Sequence, residues 1–221
     1  MIKKLSYLFI ATLVVLIFLI PFFIKVKVEC KSQFGECPTE VNSKLQTLNS
    51  KSLFSANRNA RKELKEDFLV SNFSVQFKLP NLMLINIITK KPDFALKDSS
   101  TGKIGLIDQK GVILALADSS NLPTVIGTEP IKNVGELINS RDLFALNLIS
   151  GVNEMYQVLY GTITNDTLVV DIPPGVRVIF PLEGDFEVLL GSLRLIYAKI
   201  TASYLGTYSQ IDMRYKNPVL R

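Results

Sequence analysis

Histidine is absent from this chain, and cysteine occurs only at Cys30 and Cys37. The first absence is the more restrictive. Without histidine there is no Ser-His-Asp or Cys-His arrangement, and the commonest general base is lost with them. Two thiols alone supply half of an ordinary zinc ligand set, so a zinc site is not expected. Ser55, Ser74 and Ser192 are left with a Ser/Lys mechanism only, and no lysine is placed beside any of them. A glycine-rich phosphate loop is missing too. Asp166, Asp171, Glu183 and Asp185 could be assembled on paper into a carboxylate pair or a calcium cluster, but beside glycine and proline they read as turn residues and solvated surface. The expectation is a non-enzymatic chain with no catalytic, cofactor-binding or metal residues, no cofactor and no small-molecule substrate. The net charge of +5 is spread along the sequence, with no basic stripe interleaved with aromatics, so no nucleic-acid partner is expected either.

What the sequence does contain is one long apolar run, Tyr7 to Ile24, without a charged side chain. About 20 helical residues at about 1.5 Å each cover the roughly 30 Å hydrocarbon layer, so the run is read as a transmembrane helix. It lacks the small-x-small site of a cleaved signal peptide and ends in PFFIKVKVEC. Lys3 and Lys4 precede it, and Lys25 and Lys27 follow it. The reading is an uncleaved anchor in the cytoplasmic membrane, single-pass, with the amino terminus cytoplasmic and the body extracytoplasmic. The competing reading keeps the body in the cytoplasm behind a re-entrant or cleaved segment. No Gly-x-x-x-Gly face marks the run, which disfavours strong self-association through it.

Both cysteines fall just beyond, in CKSQFGEC. Either they close a small loop in an oxidising compartment, a restraint of roughly 2–3 kcal/mol, or they stand as two reduced thiols.

Past the anchor, Val26, Val28 and Cys30 alternate as in a half-buried strand. TEVNSKLQTL, after Pro38, has Val41, Leu45 and Leu48 at helical spacing, and a second helix is read from Asn57 to Phe68. Strands follow at Phe73–Phe77 and Asn81–Thr89, closed by Lys90-Lys91-Pro92. The order strand, helix, helix, strand, strand predicts two helices on a three-stranded sheet. Short strands come next (Phe94–Leu96, Gly105–Asp108, Val112–Leu114), then a helix from about Val134 to Leu148. Strands at Gln157–Thr164, Thr167–Asp171 and Arg177–Phe180 include a tight hairpin turn at Asn165-Asp166. Glu187 to Gly191 reads as a strand, Ser192 as the cap of a helix Leu193–Tyr204, and Tyr208 to Tyr215 as a last strand before Lys216-Asn217 turns into Pro218-Val219-Leu220.

The run FSVQFKLPNLMLINIITKKPDFAL, through Val75, Lys78, Pro80, Leu82, Ile85, Ile87, Lys90, Pro92 and Ala95, resembles the POTRA-module pattern of the FtsQ/DivIB bacterial cell-division proteins. It differs from that pattern at Lys91, where the family often has arginine. Leu106-Ile107-Asp108-x-x-Gly111, Leu122-Pro123-x-x-x-Gly127, Leu190-Gly191, Lys199 and Ile211 to Tyr215 are similar to that family's later motifs, in the same order. The resemblance implies an α+β fold: a short cytoplasmic tail and transmembrane helix (1–24), a small POTRA-type βααββ domain (25–92), and a β-rich domain with flanking helices ending in an edge strand (93–221). It implies a divisome scaffold whose partners are FtsB/DivIC-like and FtsL-like single-span proteins, held outside the membrane by strand addition at the last edge. It places Ile211, Met213, Arg214, Tyr215, Pro218, Val219 and Leu220 at that interface, with Arg214 free to pair a partner carboxylate. In the competing reading of these two residues, Arg214 pairs internally and Tyr215 packs. The competing functions are a POTRA-type binding module in secretion or envelope assembly, and an anchored Ser/Lys hydrolase.

Overall fold

The computed structural model describes residues 22–202 and 208–221. They fold into two compact units, the first ending at Lys90 and the second running from Lys91 to Arg221.

The first unit opens with β1 (Lys27–Ser32), which turns back into β2 (Gly35–Glu36). Gly35 sits at the turn with φ of 106°, a left-handed conformation that glycine adopts without strain. Cys30 and Cys37 are disulfide-bonded across the base of this hairpin, with Cα atoms 5.7 Å apart. Of the two readings left open for these thiols, the structure has the bonded one. α1 (Thr39–Gln46) and α2 (Leu53–Glu66) follow, then β3 (Val70–Lys78) and β4 (Leu82–Thr89). The sheet order is β2-β1-β4-β3, with β1 parallel to β4 and the other pairs antiparallel. Val41, Leu45 and Leu48 from the first helical segment, and Ala56, Ala60 and Leu64 from α2, close over Val26, Val28, Met83, Ile85 and Ile87. The two alanines, fully buried, let α2 lie close to the sheet. The core is pinned at its rim by Asp67, whose buried carboxylate accepts from Lys44 Nζ at 2.7 Å and from the Leu69 N–H at 3.0 Å.

Among its described residues, the second unit is one nine-stranded mixed sheet with two helices. Its order is β13-β12-β11-β10-β9-β8-β5-β6-β7, built from β5 (Phe94–Asp98), β6 (Ile104–Ile107), β7 (Ile113–Ala117), β8 (Thr124–Gly127), β9 (Tyr160–Thr164), β10 (Thr167–Ile172), β11 (Val176–Pro181), β12 (Gln210–Asp212) and β13 (Val219–Leu220). α3 (Ser140–Tyr156) lies over β8, β5, β9 and β10, and α4 (Phe186–Ala202) packs against α3. Alternation decides the faces. Leu168, Val170 and Ile172 of β10, with Val176, Val178 and Phe180 of β11, point to the helices, while Asp171 and Arg177 pair on the other face at 2.9 Å. Complete burial of a side chain such as Phe180 contributes about 1.5–3 kcal/mol.

The fold class expected from the sequence needs correction. The described residues form four helices and two extensive sheets, and no helix among them is long and apolar enough to cross a membrane. The expected transmembrane helix, Tyr7–Ile24, falls on positions outside the described residues except for Phe22, Phe23 and Ile24. The small first domain is not a three-stranded βααββ sheet, because the β1–β2 hairpin adds a fourth strand. In the second unit, Glu187 to Gly191 is helix rather than strand. The Asp185 carboxylate accepts from the N–H groups of Glu187 and Val188, at 2.9 and 3.2 Å, and starts α4 there. Phe186, Leu189, Leu190, Leu193, Tyr197 and Ile200 then recur at helical spacing against the core. Ser192 therefore lies inside this helix and does not cap it, and Tyr204 lies outside the described residues. The helix expected at Val134–Leu148 begins instead at Ser140, capped by the Asn139 side chain, which accepts from the Asp142 N–H at 2.7 Å. Residues 135–138 are spent on backbone bonds to Gly111 and Ile113. α2 likewise starts earlier than expected, because Ser52 caps it. The hairpin turn at Asn165-Asp166 is present, both residues having positive φ (49° and 56°), as a type I′ turn requires.

Candidate partner interface

The last two strands lie at one end of the nine-stranded sheet. β12 runs parallel to β11, with Arg177 opposite Gln210, Val178 opposite Ile211 and Ile179 opposite Asp212. β13 runs antiparallel to β12, with Ile211 opposite Leu220 and Asp212 opposite Val219. Among the described residues β13 has a strand neighbour on one side only.

The register fixes which backbone groups are spent. Gln210 and Arg221 exchange two bonds, N–H to carbonyl at 3.0 Å in each direction. In an antiparallel ladder such pairs alternate with pairs that face away, so Ile211 and Leu220 form a non-bonded pair. On the β12 side this agrees with Met213, whose N–H donates to the Ile179 carbonyl at 2.8 Å, because Ile211 and Met213 turn their polar groups toward β11. On the β13 side it turns the N–H and C=O of Leu220, and the C=O of Pro218, outward to the open edge. Pro218 has no N–H, so along this strand Leu220 supplies the outward donor.

The seven residues implied by the family resemblance separate into two sets. Ile211 and Met213, at 0% and 3% relative exposure, are part of the hydrophobic core beneath α3 and α4. Their side chains hold β12 on the sheet and face the core rather than solvent. Val219 and Leu220 are 37% and 36% exposed, Tyr215 is exposed and Pro218 is half-buried at the edge.

Arg214 has an internal partner. Its Nε and Nη2 donate to the two carboxylate oxygens of Asp212 at 2.8 and 2.6 Å, and its backbone N–H donates to Asp212 Oδ1 at 3.2 Å. The Asp212 side chain is fully buried, while that of Arg214 remains 42% exposed. The guanidinium hydrogen bonds hold the Asp212 carboxyl below its ordinary range, against a desolvation that pushes it up. This fork lies at the end of β12, where, from Arg214 onward, the chain bends away. It also sets the Arg214 guanidinium 5.9 Å from the Tyr215 ring centroid, within cation–π reach. Sequence reasoning missed the role of Asp212, although the spacing Asp212-x-Arg214 was visible. An acid two residues before an arginine reads as a solvated pair unless the sheet that buries it is known.

Of the other residues considered for chemistry, Asp166 and Glu183 line one pocket with Arg141 and Arg214, and the rest are dispersed. Asp166 pairs with Arg141 at 3.0 Å, Asp171 pairs with Arg177, and Asp185 caps α4. Ser55 lies in the first turn of α2, Ser74 on β3 in the same unit, and Ser192 on α4 in the other. No protein-family model matches the chain, and no curated protein matches it.

Proposed function

We propose that this chain is a non-enzymatic cell-division scaffold that works outside the cytoplasmic membrane. It holds FtsB/DivIC-like and FtsL-like single-span partners by accepting a strand at β13. Its attachment to the membrane is through the apolar run 7–24, with the body on the extracytoplasmic side. The observation that carries the reading is the open β13 edge, where Leu220 turns both backbone polar groups outward beside exposed Val219 and Tyr215. Two further features support it. The Cys30–Cys37 disulfide suits an oxidising compartment. The sequence from Ile211 to Tyr215 is similar to the terminal motif of the FtsQ/DivIB family.

A single substitution separates strand addition from ordinary side-chain contact. Leu220→Pro removes the outward donor and leaves the bonds of Val219 and Arg221 to β12 in place. The expected outcome is loss of the FtsB/DivIC-like partner in co-purification, with an unchanged circular dichroism spectrum and melting temperature. Retention of the partner by a folded Leu220→Pro chain would sink the strand-addition reading.

A further inference from the structure

Segment 24–26 is laid antiparallel along segment 50–53. The Leu53 N–H donates to the Ile24 carbonyl at 2.8 Å, the Val26 N–H to the Lys51 carbonyl at 3.0 Å, and the Ser50 N–H to the Val26 carbonyl at 2.9 Å. Lys25 and Ser52 form an isolated bridge between them. Alternation then sends Val26 into the core and leaves Lys25 exposed.

This clamp holds aromatic rings in solvent. Phe22 stacks on Phe54 with centroids 4.8 Å apart, yet the two residues are 50% and 51% exposed, and Phe23 is 80% exposed. Large aromatic side chains dominate core and interface energetics, and three exposed phenylalanines on two tied segments form a patch that calls for an apolar neighbour. Exposed cations flank it in the sequence of both segments. Lys25, Lys51 and Arg58 are all exposed, and Arg58 lies one turn along α2 from Phe54, on the same face.

The charge pattern of α2 argues separately for a negative surface. Its first turn carries no acidic residue, and Arg58, Arg61 and Lys62 all precede its first acid, Glu63. A helix amino terminus favours acidic neighbours, so local helix stability would choose the opposite sign here. Rings beside basic residues are the composition of surfaces that lie at the boundary between lipid headgroups and acyl chains. The ends of both features meet where the apolar run 7–24 finishes.

We propose that Phe22, Phe23 and Phe54, with Lys25, Lys51 and Arg58, form a face that rests on anionic phospholipid. The rings enter the headgroup boundary and the cations pair with lipid phosphates. The proposal rests on the membrane location given above. It adds that the first unit has a fixed face toward the bilayer.

The chain contains no tryptophan, so Phe54→Trp introduces a single fluorescent reporter at a half-exposed ring position. The full chain carrying it is reconstituted into vesicles of acyl-brominated phosphatidylcholine, with or without phosphatidylglycerol. The expected result is a blue-shifted emission, quenched severalfold more strongly when phosphatidylglycerol is present, and loss of that difference in the added Lys51→Glu, Arg58→Glu variant. The proposal is overturned if the indole stays unquenched in a chain that floats with the vesicles. Equal quenching in both lipids, or a blue shift that needs an added soluble protein, overturns it as well. A folded chain that does not float with the vesicles contradicts the membrane location itself, and the lipid-facing surface with it.

Discussion

Asp212 shows how one residue can decide whether an edge is presentable. Its carboxylate is buried, and three donors from Arg214 compensate the desolvation. Removing it in Asp212→Ala leaves the bend after β12 without its acceptor. Because Arg214 is partly in solvent, the loss in urea unfolding is set at about 1–2 kcal/mol rather than the upper range for charged hydrogen bonds. The pH dependence follows from the direction of the shift. A carboxyl whose folded pKa is depressed contributes fully above its unfolded value of about 3.9, and the contribution is lost as pH falls through the lower folded value. The gap between parent and Asp212→Ala is therefore constant near neutrality and narrows below about pH 4. A gap that widened on acidification would contradict the ion-pair account. Asp98 is held down to about 2 by a comparable arrangement, with the Ser100 and Thr101 hydroxyls as its main donors, but it secures a turn at the end of β5, distant in sequence from β13.

The disulfide hairpin and the α4 cap mark how far each element was legible in the sequence. Cys30 and Cys37 stood close enough for a bond, but only the pairing of Lys31 with Glu36 and of Ser32 with Gly35 makes them neighbours across a two-stranded ribbon. The Gln33 side chain then anchors the hairpin loop, its carbonyl accepting from the Thr89 N–H at 2.9 Å and its amide donating to Thr89 Oγ1 at 2.8 Å. Replacing both cysteines by serine should lower unfolding stability by roughly 2–3 kcal/mol, and a thiol reductant should lower that of the parent equally. An unchanged denaturation midpoint would mean that the Gln33 anchor alone fixes the loop. Strands with strict alternation, such as β10 and β11, could be read directly because period two has one interpretation. Glu187 to Gly191 could not. Five residues ending in glycine fit a strand or a helix, and the Asp185 cap with the apolar positions as far as Ile200 decides for the helix.

At the scale of the whole molecule, the division near Lys90 was marked in the sequence by Lys90-Lys91-Pro92, where the first run of strands and helices closes. The nine-strand order was not legible. It depends on parallel pairings between β5, β8 and β9 and between β11 and β12, and these join residues far apart along the chain. The seven residues first assigned to the interface illustrate the same limit. Strand position alone cannot distinguish Ile211 and Met213, which anchor β12 in the core, from Val219 and Leu220, which border solvent. The sheet makes that distinction, and it narrows the proposed interface to the outward side of β13. Amide hydrogen exchange on the full chain, with and without an FtsB/DivIC-like partner, tests this most directly. In the free chain the Leu220 amide should exchange fast, while those of Val219 and Arg221, bonded to β12, exchange slowly. Partner binding should slow Leu220 to the level of its two neighbours. A partner that binds while Leu220 continues to exchange at its free rate would contradict strand addition at this edge.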